Sequence, residues 1–182
     1  MDPRVARTRE RVLSVVRELL VADGPMAVTH SAVARSAGVG RQTVYNHWPT
    51  REALVVDATL EGYEGGYPEA VASFADAIRQ WLSSLGGAMA DPERIAALAN
   101  LASFAFHDEN SLRSLRDLSR DRLDAFNEVI APLGATCSGE DYARIVGPIF
   151  YQLLVARAPV TQSLIEATIA SIESTVELSG ND

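Results

Sequence analysis

Between Gly38 and Leu54 the chain reads GVGRQTVYNHWPTREAL. Side chains that donate or accept hydrogen bonds crowd this segment, and no carboxylate stands between Gly40 and His47. Arginine can grip guanine O6 and N7, and glutamine or asparagine can grip adenine N6 and N7. Hydroxyls and aromatic rings beside them suit phosphate oxygens, which position a protein without reading base sequence. The chemistry on offer is that of a surface for duplex DNA. The competing reading is a helical hairpin whose polar face is only solvated.

The elements that must hold these groups are short helices. Thr29 is placed to cap one that carries Val33, Ala34 and Ala37 inward, and Gly38 ends it as a left-handed turn residue would. A second spans about Arg41 to His47. Two short helices across a tight turn form a helix-turn-helix, whose second helix enters the major groove. At 100° per residue Val44 and Trp48 share one face and anchor the helix. Gln42 and Asn46, an i, i+4 pair, lie opposite and point away from the core. Arg41, Thr43, Tyr45 and His47 flank that stripe. Thr50 can cap a further helix, whose N-terminal dipole and Arg51 add positive potential for a phosphate backbone.

Charge is divided unevenly along the 182 residues. Residues 1–52 hold eight Arg against five Asp and Glu, and residues 53–182 hold eight Arg against nineteen, for a net −8. A mildly basic head on an acidic body is expected where only the head meets nucleic acid. The composition is 47% hydrophobic and 22% charged, ordinary for a globular chain. No apolar run approaches a membrane span, and the charged N-terminus lacks a signal-peptide core, so a soluble cytoplasmic protein is expected.

The pattern is helical throughout. Helices are expected near 4–22, after Thr29, 41–47, 51–60, 69–85, 92–106, 111–130, 140–156 and 161–178. Breaks fall at Gly62–Pro68, Gly86-Gly87, His107–Asn110, Pro132–Gly139 and Pro159. The expected fold is all-α, with about nine helices. A three-helix DNA-binding domain (residues 1–52) precedes a larger helical ligand-sensing and dimerisation domain (residues 53–182).

The stretches RERVLSVVRELLVADG and VTHSAVARSAGVGRQTVYNHWPTREAL resemble the N-terminal domain of the TetR family of bacterial transcriptional regulators. AGVGRQTVYNHW is similar to that family's turn and recognition helix. Three positions depart from the usual pattern: Trp48 replaces Phe, Arg51 replaces Lys, and His30 stands where a small residue such as Thr is common. The resemblance implies that Arg41, Gln42 and Asn46 face bases, that Gly40 allows close approach, and that Thr29, Thr43, Tyr45, His47 and Arg51 hold phosphates. It also implies a homodimer on a palindromic operator, released by a small-molecule effector, most simply as a repressor. An activator or a redox-responsive regulator is the alternative.

The body is read more coarsely. IVGPIFYQLLVARAPVTQSLIEATIASI resembles the last two helices of one subgroup of the family, which form a four-helix dimer interface. The residues support this separately. Tyr142, Ile145, Ile149 and Leu153 on one helix, and Ile165, Ile169, Ile172 and Val176 on the next, spread over arcs wide enough for both a core and a partner. Pro148 should kink the first of the two. Trp81, Met89, Phe104, Phe106, His107, Phe126 and Tyr151 could line a cavity for an apolar or aromatic effector, or simply form core.

Catalytic chemistry finds little material. The three histidines are His30, His47 and His107, and the single cysteine, Cys137, sits among carboxylates in ATCSGED. A reactive thiol wants cations nearby, and a structural zinc site wants more thiols. His107-Asp108-Glu109 are consecutive and would not share a helix face. No enzyme, metal or cofactor is expected.

Overall fold

A computed structural model describes residues 3–60 and 71–179, with the side chains of residues 3, 4, 60 and 174–179 left aside. The described residues form nine α-helices and no strand. The helices are α1 (Pro3–Ala22), α2 (His30–Ala37), α3 (Arg41–His47), α4 (Arg51–Leu60), α5 (Phe74–Ala88), α6 (Pro92–Phe104), α7 (Glu109–Ile130), α8 (Gly139–Phe150) and α9 (Gln162–Ser179). The expected break at Gly62–Pro68 lies outside the described residues.

The chain divides into two compact units. The first contains α1 to α4, α6 and the beginning of α7; the second contains α5, the rest of α7, α8 and α9. In the first, α1 supplies Val12, Leu13, Val16 and Leu20 at three- and four-residue spacing. They are buried with Val33 and Ala37 of α2, Val44 of α3, and Leu54, Val55 and Ala58 of α4. One apolar stripe per helix therefore closes one core. In the second, Ile78 and Leu82 of α5, Phe126 and Ile130 of α7, Ile145 and Ile149 of α8, and Ile165 and Ile169 of α9 do the same.

Several boundaries differ from the sequence expectation. Helix α5 begins at Phe74 because Ser73 caps it, its hydroxyl accepting from the Asp76 N–H. It then continues through Gly86-Gly87 instead of stopping there. Gly86 is buried, and a Cβ at that position would lie 3.1 Å from the Val160 side chain. That glycine serves close packing, not a turn.

Helix α7 starts at Glu109, two residues earlier than expected. The Asp108 carboxylate accepts from the Ser111 N–H at 2.6 Å, and the Asp108 carbonyl accepts from Leu112. Asp108 is thus a helix cap, and among the described residues no group of three acids, histidines or cysteines is placed to hold a metal.

After Pro148, α8 passes at Tyr151–Val155 into a π-helical segment, where the Ala156 N–H bonds the Tyr151 carbonyl. Arg157, with φ 54°, reverses the chain in the left-handed region that few residues other than glycine enter.

Candidate nucleic-acid interface

The site is assembled by α2, the turn and α3. Thr29 is extended and caps α2, its hydroxyl accepting from the Ala32 N–H at 3.1 Å. Gly38 adopts φ 63°, and the Gly38 and Val39 N–H groups return to carbonyls of the last turn of α2. A residue with a Cβ would be strained there, so glycine sets the angle between the two helices. Gly40 is extended and starts α3, its carbonyl accepting from the Thr43 and Val44 N–H groups. At the far end of α3 the Trp48 N–H closes on the Val44 carbonyl.

Helix α3 is anchored by two side chains. Val44 is fully buried and Trp48 is 3% exposed. Arg41, Gln42, Thr43, Tyr45, Asn46 and His47 are all exposed. They already interact in i, i+4 pairs. The Gln42 side-chain N–H donates to the Asn46 side-chain oxygen at 2.9 Å. The Arg41 guanidinium donates to the Tyr45 hydroxyl at 3.3 Å and lies 5.3 Å over its ring. The first pairing leaves the Gln42 oxygen and the Asn46 amide hydrogens for a partner, the donor–acceptor combination an adenine edge requires.

Thr29 lies at the exposed N-terminus of α2. Arg51 is placed differently from the other expected phosphate ligands. It is half-buried, donates to the Glu52 carboxylate at 3.2 Å, contacts the Met26 sulfur, and lies 5.3 Å over the Phe104 ring. Its charge is partly answered within the protein. Thr50 caps α4, accepting from the Ala53 N–H at 3.1 Å.

Sequence reasoning missed a ring of supports around Trp48. The Asp57 carboxylate of α4 accepts from the Trp48 indole N–H at 2.8 Å and from the Arg9 guanidinium of α1 at 2.7 Å. His30 of α2 donates from Nε2 to the Trp48 carbonyl at 2.6 Å and stacks flat on Tyr45, with ring centroids 3.9 Å apart and planes within 1°. The signal was available. A buried tryptophan brings an N–H that needs an acceptor, and Asp57 is a lone carboxylate within the otherwise apolar run ALVVDATL.

The other candidate residues are divided between the two units. Trp81 and Phe126 are buried edge to face at 5.1 Å, and the Trp81 indole donates to the Tyr142 hydroxyl at 3.1 Å. They are core of the second unit. Met89 is buried and Tyr151 is 62% exposed, both also in that unit. Phe104, under Arg51, and the exposed His107 and Phe106 belong to the first unit.

Ile145, Ile149, Ile165, Ile169 and Ile172 are at most 9% exposed within a single chain, with Leu153 packed against them. They fill the core of the second unit. The side chain of Val176 lies outside the described residues. A cleft of about 200 Å³ beside α3, lined by Val5, Thr8, Arg9, Thr43 and His47 among others, is smaller than a site for a drug-sized ligand.

Comparison with known proteins places this geometry. Residues 12–58, from within α1 to the last turn of α4, match the model of the bacterial regulatory proteins of the tetR family. That segment is therefore similar to the DNA-binding part of the TetR family of transcriptional regulators. The chain is 32% identical over 105 residues to the HTH-type transcriptional regulator AlkX of Mycobacterium tuberculosis. That match covers 53% of this chain and only 50% of AlkX.

Two solved structures share the fold. A TetR transcriptional regulator from Agrobacterium tumefaciens superposes with a TM-score of 0.67 at 18% identity, over 93% of this chain and 94% of that one. NalD, the secondary repressor of the MexAB-OprM multidrug efflux pump in Pseudomonas aeruginosa, does so at 0.61 and 17%, over 94% and 96%. The chain thus shares its fold with those two proteins along nearly its whole length.

Proposed function

We propose that the chain is a dimeric repressor that binds a palindromic DNA operator through α3 and is released by a small apolar or aromatic effector. Residues 1–52 would meet DNA, and residues 53–182 would bind the effector and the second protomer. The observation that carries the reading is the outward face of α3. Val44 and Trp48 fix the helix from behind, while Gln42 and Asn46 present amide groups on the opposite side.

Base contacts fall to Gly40, Arg41, Gln42 and Asn46, with Thr29, Thr43, Tyr45, His47 and Arg51 toward phosphates. Arg51 must release Glu52 to serve. Two-fold symmetry suits a palindromic site. NalD's role as a repressor supports repression here. An effector acts by binding one of two states better than the other.

The dimer reading now rests on the outward positions beside α8 and α9, where Tyr151 and Val155 are exposed, more than on the buried isoleucines. No described helix is long and apolar enough to cross a membrane. Cys137 does not favour redox control. Its buried thiol is pushed up to about 11, by burial first and then by Asp141, so the reactive thiolate is suppressed.

Selection of random duplexes by the purified protein, followed by sequencing, tests the reading. A palindromic consensus is expected, and absence of enrichment would refute it. With roughly six or more phosphates neutralised, affinity for that consensus should fall on the order of a thousandfold between about 50 and 200 mM salt.

A further inference from the structure

His30 is not used as its position suggests. The first residue of α2, next to the capping Thr29, could point outward. Instead it is 8% exposed and turned inward, where it meets two parts of the recognition helix at once. Its Nε2 lies 2.6 Å from the Trp48 carbonyl. A carbonyl only accepts, so this nitrogen carries the proton and donates. Its ring lies parallel to Tyr45 at 3.9 Å. Tyr45 is also engaged by Arg41, whose guanidinium is 5.3 Å from the ring centroid and donates to the Tyr45 hydroxyl at 3.3 Å. Tyr45 is 37% exposed.

We propose that His30 is a positioning residue for DNA binding, which holds the Tyr45 ring and the C-terminal end of α3 in the orientation that presents the Tyr45 hydroxyl to a phosphate. The proposal rests on the DNA-binding reading above. Its physical content is preorganisation. A tyrosine that rotates about its first two torsions must be ordered when it binds, and each immobilised side chain costs affinity. A flat partner stacked on the ring and a guanidinium bonded to the hydroxyl meet that cost before DNA arrives. The hydrogen bond to Trp48 fixes His30 itself, since α2 and the end of α3 then share one clamp. The indole side of Trp48 is held separately by Asp57, so removing His30 leaves the core anchor of α3 in place.

The test is a double-mutant cycle on the full chain, read by fluorescence anisotropy with the duplex recovered by selection, alongside thermal melting of each variant. His30→Ala should weaken binding about tenfold, from loss of one aromatic pair and one hydrogen bond. In a Tyr45→Ala background the same change should cost less than about twofold, because the group it positions is gone. His30→Phe, which keeps the flat ring but not the donor, should recover part of the affinity.

Equal losses in both Tyr45 backgrounds would show a merely structural role and overturn the proposal. If His30→Ala does not fold, His30→Phe carries the cycle, and its loss must likewise shrink when Tyr45 is alanine. A wild-type chain that binds no selected duplex would instead remove the DNA-binding reading, and this proposal with it.

Discussion

Helix α3 and the pair α8–α9 both carry apolar residues at three- and four-residue spacing, yet they use that spacing differently. In α3 only Val44 and Trp48 turn inward, and six polar or aromatic side chains stay at the surface. A seven-residue helix has little other purpose for such a face, so its chemistry can be read almost directly. In α8 and α9 the apolar positions cover a wide arc, and the central isoleucines are consumed by the core of the second unit. A wide apolar arc can serve a core and a partner at once. It does not show which residue serves which surface.

The largest effect that would break the comparison lies behind α3. Trp48→Ala should destabilise the first unit by about 3–5 kcal/mol, as loss of a buried tryptophan does. It also leaves the Asp57 carboxylate without its indole donor, so Asp57→Ala added to Trp48→Ala should cost less than Asp57→Ala alone. Chemical denaturation followed by Trp81 fluorescence would miss this, because Trp81 belongs to the second unit. Hydrogen exchange resolved to α1–α4 is the appropriate measurement. A head that tolerates Trp48→Ala would mean that α3 is not held from behind.

Ile149→Ala sharpens the other side. Burial in the core of the second unit predicts a loss of about 2–5 kcal/mol. The loss should be equal at low and high protein concentration, because stability borrowed from a partner subunit varies with concentration by mass action. A concentration-dependent loss would return Ile149 to the interface. Val155→Asp makes the complementary change at an exposed position. It should leave the fold intact and shift any monomer–dimer equilibrium seen by sedimentation.

Smaller effects separate the residues on α3. Gln42→Ala or Asn46→Ala should cost about 1–3 kcal/mol at particular bases and little elsewhere. Tyr45→Phe should weaken binding almost evenly across sequences, as a phosphate contact does. Affinities on single-base variants of the selected duplex decide this. The reverse pattern would mean that α3 presents a different face.

These contrasts explain what was legible in the sequence. The bounds of α3 and α4, the caps at Thr29 and Thr50, the turn at Gly38 and the exposed stripe follow from local rules acting over a few residues. Gly86-Gly87 misled, because a buried glycine in close contact with Val160 looks in sequence like a helix stop. His30, Asp57 and Arg9 were missed because their partners lie 18, 9 and 48 residues away. The aromatic residues of the body could not be divided between core and cavity, since Trp81 and Phe126 have the composition of either.

The smallest expected effect is a pH dependence in the second unit. Arg79 of α5 and Glu166 of α9 form a two-pronged ion pair at 2.7 and 3.0 Å, and Gln162 donates to the same carboxylate at 2.7 Å. Arg79 first, then Gln162, hold Glu166 down to about 2 from an ordinary value of 4.5. A carboxyl group more acidic in the folded chain than in the unfolded one stabilises the fold above its unfolded value. That contribution fades as pH falls from about 4.5 toward about 2. The pair is exposed, so solvent and salt screen it. Glu166→Gln should therefore change stability little in absolute terms but flatten its slope across that window, with the difference shrinking at high salt. Denaturant midpoints for both proteins between about pH 2 and 6 measure it. Parallel slopes would show that the link between α5 and α9 rests on their shared apolar core alone.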